Sequence, residues 1–242
     1  MRYKTELCYN GDNYHGWQIQ PNANSVQETL EKCFSLILKE KISFVGAGRT
    51  DTGVHAEYYV AHFDTSSPIS NIDALVNKMN IFLPKDIAIF SITEVSDEFN
   101  ARFSATSRSY RYLIHTKKDP FLNSISWFVP YKIDVEKMNQ ACEIMKQYND
   151  FACFCKSGAD NKTTLCNITF AHFTQKGHQI IFEISANRFL RNMVRAITGT
   201  MIDIGTGKIN LTDFENILKS KNRSEAGQSV PAKALALTKI DY

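Results

Sequence analysis

Short segments with the alternation of a β-strand and longer segments with the period of an α-helix follow one another along the whole chain. Residues 2–10 alternate between two faces, one of which carries Tyr3, Thr5, Leu7 and Tyr9. Ser25 and Glu28 have the spacing of a helix-capping box, and an apolar stripe with helical spacing follows them. Because both patterns recur to the end of the chain, the sequence predicts an α+β (mixed α/β) fold in which helices pack on sheets.

The same two periods predict the remaining elements. We expect strands near 42–47, 58–63, 87–95, 107–115, 169–174, 179–185 and 235–240. We expect helices near 72–82, 135–147, 188–204 and 212–219. Residues 149–164 form the longest stretch without either period, and loops of this length are often functional.

The composition is that of a globular protein. The 242 residues are 43% hydrophobic and 22% charged, which is enough apolar material for a core of normal size. No apolar run reaches the length of a membrane span, and the first residues alternate like a strand instead of forming a secretory signal. We therefore expect a soluble protein that resides in the cytoplasm and has no membrane partner.

The segment Gly46–Ala56 contains the strongest candidate for chemistry. Its three glycines permit tight turns, so that the backbone can bend sharply and hold one side chain at a cleft. Arg49 and Asp51 lie two residues apart in this segment, directly after a predicted strand. An ionised Asp51 can act as a nucleophile. The alternative is a turn residue that caps its own backbone.

Positive charge is concentrated in two stretches that contain no acid, although the net charge is only +3. Residues 102–118 and 188–195 contribute six arginines, namely Arg102, Arg108, Arg111, Arg188, Arg191 and Arg195. Helical spacing would bring the last three arginines onto one face. Such clusters fit either a solvated surface or a surface that binds phosphates.

Tyr110 lies in the predicted strand within the first basic stretch. Alternation puts Tyr110 on one face with Arg108 and Tyr112, and puts Arg111 on the other face. A tyrosine that faces a cleft can stack on an extruded base, which is worth about 1–3 kcal/mol per base. A tyrosine that faces the core is an ordinary packed aromatic residue.

The cysteines and histidines lack the spacing of a metal site. Cys153, Cys155 and Cys166 do not form the paired C-x-x-C of a zinc knuckle. A metal-dependent hydrolase built on Asp51, Asp64 and His55 would have poor ligand spacing. The sequence also contains no P-loop and no dinucleotide-binding glycine motif. We therefore expect neither a metal nor a cofactor.

Four segments, in order along the chain, resemble motifs of the tRNA pseudouridine synthase A family. They are Tyr9–Gln18, Gly46–Ala56, Phe99–Tyr112 and Asn187–Arg195. The likeness extends over essentially the whole chain. It implies two α/β subdomains, 1–105 and 106–242, with an extended antiparallel-rich mixed sheet and a catalytic cleft between them.

The resemblance also implies roles for individual residues. Asp51 would be the nucleophile, Arg195 would form an ion pair with it, and Tyr110 would stack on the target uracil and take part in proton transfer. Arg49 would help to hold the target nucleotide out of the stem. The other candidates for RNA binding are Arg102, Arg108, Arg111, Arg188 and Arg191.

The implied reaction converts uridine to pseudouridine at positions 38, 39 and 40 of the tRNA anticodon stem-loop. The N1–C1′ bond breaks and a C5–C1′ bond forms, with nothing gained or lost overall, so that no cofactor is needed. A base inside a helix cannot be reached, so the enzyme must flip it out. Family members act as homodimers in which one tRNA contacts both subunits.

Two alternatives remain open from the sequence. The first is a non-catalytic RNA-binding protein on the same scaffold, against which the joint presence of Asp51, Tyr110 and Arg195 argues. The second is a related synthase that acts on another RNA site. The uridines that change in tRNA would distinguish this second alternative from an anticodon-arm enzyme.

Overall fold

The computed structural model describes residues 1–156, 158 and 162–242. Within this part, the elements are β1 (Arg2–Tyr9), α1 (Val26–Leu38), β2 (Phe44–Gly46), β3 (His55–Asp64), α2 (Ile72–Phe82), β4 (Ile87–Val95), β5 (Ser107–His115), β6 (Trp127–Phe128), α3 (Val135–Met145), β7 (Ile168–Lys176), β8 (Gln179–Ala186), α4 (Met193–Gly205), α5 (Leu211–Ser220) and β9 (Leu235–Asp241). The five helices and nine mostly antiparallel strands of the described residues confirm the predicted α+β class.

The described chain divides into two compact units. Unit 1 consists of Met1–Thr106 together with Leu237–Tyr242, and unit 2 consists of Ser107–Ala236. Most of β9 is therefore counted with unit 1, although this strand ends the chain. The subdomains 1–105 and 106–242 that the resemblance implies stay a prediction.

Unit 1 is built around β1, which pairs antiparallel with β3 on one side and with β4 on the other. The short strand β2 pairs antiparallel with the C-terminal half of β3, at residues 61–63. The predicted face of β1 that carries Tyr3, Thr5, Leu7 and Tyr9 is buried. Helix α1 begins at the predicted cap, since Ser25 Oγ accepts a hydrogen bond of 3.2 Å from the backbone N–H of Glu28. The buried side of α1 includes Phe34, whose ring packs on the buried rings of unit 1.

Unit 2 is built around β8, which pairs antiparallel with β5 and β7. A row of aromatic residues crosses these strands, because Phe182 lies in register with both Tyr112 and Phe173. The rings of Phe173 and Phe182 are stacked, with centroids 4.1 Å apart. Helix α4 is buried along most of its length, and α3 packs on both α4 and β7. The two-residue strand β6, which pairs in parallel with β5, was not predicted.

Candidate active site

Asp51 lies in the loop 47–54, which connects β2 to β3 in unit 1. The start of this loop is fixed to β3, because the N–H of Ala47 donates to the carbonyl of Val60 at 2.9 Å. The hydroxyl of Tyr59 donates to the carbonyl of Gly48. The Tyr59 ring is itself stacked on Trp17, with centroids 4.2 Å apart. The loop therefore begins on a rigid, aromatic-backed support.

A second segment, Tyr9–Gln18, braces the middle of the loop through Thr50. The N–H of Trp17 donates to the carbonyl of Thr50 at 3.3 Å. The hydroxyls of Tyr9 and Thr50 share a buried hydrogen bond of 2.9 Å. Gly16 allows this approach, since a Cβ on it would lie 2.2 Å from the Thr50 carbonyl oxygen. The residue next to Asp51 is thus held by both its backbone and its side chain.

The turn that follows Asp51 is also hydrogen-bonded. The N–H of Val54 donates to the carbonyl of Asp51 at 3.1 Å, and Gly53 occupies the left-handed region with φ of 75°. The N–H of Gly53 donates to the carbonyl of Tyr14 at 3.3 Å. Asp51 is half-buried, whereas Arg49 is exposed. The loop is therefore a fixed support for one carboxylate, with an arginine nearby at the surface.

The motif 99–106 is attached to the end of the chain within unit 1. The ring of Phe99 lies 5.1 Å from that of Tyr242, whose hydroxyl donates to the carbonyl of Ala101 at 2.8 Å. The side chain of Asn100 accepts from the N–H of Arg102 at 3.0 Å. Arg102 is exposed on this short, hydrogen-bonded turn.

Tyr110 and Arg108 lie on one face of β5 in unit 2, and Arg111 lies on the other, as the alternation predicted. The rings of Tyr110 and Phe189 make an edge-to-face contact, with centroids 5.2 Å apart. Nη1 of Arg108 donates to the carbonyl of Asn187 at 3.0 Å. Phe189 and Asn187 thus connect β5 to the arginine-rich segment that precedes α4.

The predicted helix over 188–204 is wrong at its beginning. Helix α4 begins at Met193, and Arg188 and Arg191 lie in the segment before it. The cause is Asn192, which adopts a left-handed backbone with φ of 65° and so cannot continue a right-handed helix. The prediction that these arginines share a helical face with Arg195 therefore fails. Arg188 is half-buried and Arg191 is exposed.

Arg195 lies in the first turn of α4, and a backbone carbonyl fixes its Nε–H. Its Nε–H donates to the carbonyl of Val230 at 2.7 Å, while the N–H of Val230 donates to the carbonyl of Arg195 at 3.3 Å. The hydroxyl of the buried Tyr112 donates to the next carbonyl, that of Pro231, at 2.9 Å. Burial raises the pKa of Tyr112, although the charge of Arg195 acts in the opposite direction. The segment Val230–Pro231 therefore contacts both α4 and the Tyr110 strand.

Two of the three residues considered for a metal-dependent hydrolase, Asp64 and His55, have other contacts. Two nitrogens of Arg2 bind Asp64 at 2.8 and 2.9 Å, and this guanidinium holds the pKa of the Asp64 carboxyl below its usual range. Nδ1 of His55 accepts from the N–H of Gly11 at 3.0 Å. Within the described residues, no group of three or more His, Cys, Asp or Glu could hold a metal ion. In the same residues, no helix is long and apolar enough to cross a membrane.

Sequence reasoning proposes reactive candidates but misses the residues that hold the segments in which they lie. Thr50, Tyr59 and Trp17 brace the Asp51 loop, and the segment 223–231 holds Arg195. The density of aromatic residues and glycines in Tyr9–Gln18 was the available signal for the first brace. The second brace has no comparable signal, since it consists mostly of backbone contacts between residues distant in sequence.

Comparison with known proteins identifies the family. The sequence profile of the tRNA pseudouridine synthase family matches residues 8–104 and 148–242. The chain belongs to the tRNA pseudouridine synthase family. Asp51 and Arg195 lie inside the matched ranges of this synthase, whereas Tyr110 lies between them.

Full-length relatives agree with the profile. This synthase is 46% identical over 241 residues to the tRNA pseudouridine synthase A of Parabacteroides distasonis, covering 100% of this chain and 96% of that protein. It is 39% identical over 236 residues to the tRNA pseudouridine synthase A of Caldicellulosiruptor bescii, covering 97% and 96%. A structure of the CRISPR endoribonuclease Cse3 bound to a 19 nt RNA aligns with 86% of this chain and 94% of that chain, at 12% identity. The TM-score of this alignment is 0.23.

Proposed function

We propose that this synthase converts uridine to pseudouridine at positions 38, 39 and 40 of the tRNA anticodon stem-loop, with Asp51 as the nucleophile. The observation that carries the proposal is the bracing of the Asp51 loop by Tyr9–Gln18, in a chain that belongs to this family. A loop that is held in advance needs little reorganisation when the substrate binds, and this lowers the barrier of the chemical step.

The proposed reaction balances without a cofactor. The N1–C1′ bond breaks, the uracil turns, and a new bond joins C5 to C1′. C5 releases its hydrogen to solvent as a proton, and N1 takes up a proton in return. A nucleophilic Asp51 would divide this change into two easier steps. The release of the C5 hydrogen also provides a direct assay.

We propose that Arg195 forms an ion pair with Asp51 and keeps the carboxylate ionised. The support is chemical, since a nearby guanidinium favours the charged form of a carboxyl group. The fixed Nε–H of Arg195 adds to this support, because a positioned guanidinium loses less entropy when it forms a pair. We propose that Tyr110 stacks on the target uracil and takes part in proton transfer. The edge contact with Phe189 would hold its ring ready for stacking.

We propose that the RNA is bound mainly through its phosphates. The arginines assigned to this role are Arg49, Arg102, Arg108, Arg111, Arg188 and Arg191. Exposure supports the role for Arg49, Arg102 and Arg191, since a phosphate contact requires an accessible guanidinium. We also propose that the protein forms a homodimer and that it resides in the cytoplasm. We propose that it consists of the two subdomains 1–105 and 106–242 that the family resemblance implies.

Tritium release from tRNA labelled at C5 of uridine tests the function. We expect release by the wild-type protein and none by Asp51→Asn, which keeps the size of the side chain and removes its nucleophilic charge. Asp73→Asn is the matched control, because Asp73 is an exposed carboxylate on α2 and should leave activity unchanged. Both variants should bind tRNA as the wild-type protein does. Residual turnover of even a few per cent by Asp51→Asn would count against the nucleophile assignment.

Transcripts with cytidine at positions 38, 39 and 40 test the target site. We expect these transcripts to release no tritium, while each single uridine restored at one position restores release. Equal release from the intact and the substituted transcripts would mean that another RNA site is modified. Binding without release from any tRNA would instead favour a non-catalytic RNA-binding protein.

A further inference from the structure

Within the segment 223–231, residues 223–229 form a compact hydrogen-bonded loop directly before Val230. The guanidinium of Arg223 lies at its centre, with Nη1 donating to the carbonyls of Ala226 and Gly227 at 3.3 and 3.1 Å. Nη2 of Arg223 donates to Oγ of Ser229 at 3.1 Å. The half-buried side chain of Arg223 therefore closes residues 223–229 into one loop.

The loop 223–229 is attached to the beginning of α4. Ser229 Oγ accepts a second hydrogen bond, from the side-chain amide of Asn192, which is the left-handed residue before α4. The N–H of Gly227 donates to the hydroxyl of Thr200 at 2.9 Å. A Cβ on Gly199 would lie 1.9 Å from the Gln228 carbonyl oxygen, so that the loop backbone lies directly against the helix. The loop and the first two turns of α4 are thus joined at several points.

We propose that Arg223 is a positioning residue for Arg195, acting through Ser229 and Val230. Val230 follows Ser229 directly, and its carbonyl receives the Nε–H of Arg195. A shift of the Arg223-closed loop would therefore move the acceptor that orients the Arg195 guanidinium. The inference rests on the proposed function, because that function assigns Arg195 to the reaction.

The geometry explains why this position carries an arginine. Two nitrogens of the planar Arg223 guanidinium bind two carbonyls and one hydroxyl. A lysine ammonium on a flexible stem cannot make these bonds with the same geometry. These contacts lie inside the protein's own loop. We therefore expect Arg223 to affect the chemical step and not the binding of phosphates.

The test compares Arg223→Gln with Lys219→Gln. Lys219 lies on α5, is exposed and pairs with Glu215 at 3.0 Å, so that this control removes the same charge without touching the loop. We expect Arg223→Gln to lower kcat by about 10- to 100-fold, because a displacement of about 1 Å at a catalytic group can cost about 100-fold. The Kd for tRNA and its dependence on salt should match those of Lys219→Gln.

A second readout follows Arg195 itself. In a ¹⁵N-labelled protein, the Nε–H signal that disappears in Arg195→Lys reports the hydrogen bond to Val230. We expect this proton to exchange with water at least about 10-fold faster in Arg223→Gln than in Lys219→Gln, because an opened hydrogen bond no longer protects it. If Arg223→Gln fails to fold, Arg223→Lys and Ser229→Ala remove parts of the same contacts and should shift both readouts in the same direction.

Several results would overturn the inference. Unchanged kcat and unchanged Nε–H exchange in the folded Arg223 or Ser229 variants would show that the loop does not position Arg195. A raised Kd with a shallower salt dependence would make Arg223 an RNA contact. If the wild-type protein releases no tritium from any tRNA, the proposed function fails. If it is active and the Arg223 variants keep its kcat, only the positioning role fails.

Discussion

Replacing Gly16 by alanine tests whether the segment Tyr9–Gln18 holds the Asp51 loop in its working position. Gly16 has φ of 88°, in the left-handed region that side chains disfavour. A Cβ at this position would lie 2.2 Å from the Thr50 carbonyl oxygen and 3.2 Å from the carbonyl carbon of Asp51. Both contacts are backbone atoms, so no flexible side chain can move aside. The loop itself must shift to accommodate the methyl group.

The expected loss of stability follows from two contributions. A left-handed backbone costs alanine about 1–2 kcal/mol, and overpacking costs about 1–3 kcal/mol. The sum is about 2–5 kcal/mol, and each kcal/mol lowers the melting temperature of a chain of this size by about 2–4 °C. We therefore expect the melting temperature to fall by roughly 4–20 °C. Because the Thr50 carbonyl adjoins Asp51, we expect kcat to fall by about 10- to 100-fold as well.

Gly48→Ala is the matched control in the same loop. Gly48 has no positive φ, and no described atom lies within 4 Å of the Cβ it would gain. Its unfolding free energy should change by less than about 0.5 kcal/mol. Thermal melts followed by circular dichroism give the stability, and tritium release well below both transitions gives kcat. Melting and turnover of Gly16→Ala equal to those of Gly48→Ala would refute the bracing role of Tyr9–Gln18.

Further predictions concern a buried histidine, the tyrosine proposed to stack on uracil, and the salt dependence of binding. His115 is buried, and its Nδ1 lies 2.9 Å from Ser126 Oγ. Burial lowers the pKa of His115 in the folded protein. Below about pH 6.5 the unfolded chain therefore binds a proton at this histidine that the folded chain does not. The free energy of unfolding should therefore fall between pH 7 and pH 5, and should fall less in His115→Gln; equal slopes in denaturant titrations would contradict this. Tyr110→Leu should lower kcat/KM by about 5- to 150-fold through lost stacking, with a fold unchanged by circular dichroism; wild-type kinetics would exclude the stacking role. The Kd for tRNA should rise steeply with salt in filter-binding assays, whereas a flat response would exclude binding through phosphates.

Much of the fold could be predicted because its signals are local. Strand β1 alternates in burial as the sequence does, β4 and β5 occupy the predicted residues, and the cap at Ser25 is a four-residue pattern. Strand β6 could not be predicted in this way. It consists of Trp127 and Phe128 alone, and its pairing with β5 depends on residues more than ten positions away.

The beginning of α4 shows where periodicity misleads. The spacing of Arg188, Arg191 and Arg195 fits one helical face, but a period describes only residues that share one backbone conformation. Asn192 leaves that conformation, and its side chain bonds to Ser229 instead. The contact that compensates for the left-handed backbone lies 37 residues further along the chain. Local pattern reasoning cannot detect such a compensation.

The candidate site was predicted as a set of reactive groups, and the structure adds how they are held. Asp51 lies in a short loop, and Arg195 lies in the first turn of a helix, where few contacts come from neighbours in sequence. Each is fixed by a remote segment that supplies mainly backbone hydrogen bonds, Tyr9–Gln18 for Asp51 and 223–231 for Arg195. Backbone donors and acceptors have few alternative positions, so they fix a side chain with little entropy to lose on binding.

Substitution of a bracing residue and substitution of a reacting residue are expected to change kcat and Kd in the same way. A substitution such as Gly16→Ala or Arg223→Gln removes no group that we assign to RNA binding, yet we expect each to lower kcat with little change in Kd. The same kinetic pattern would follow from loss of a group that acts only in the transition state. The two causes separate only when stability and side-chain exchange are measured beside the rate. A bracing residue changes all three quantities together, whereas a reacting group, the role proposed for Asp51, changes the rate alone.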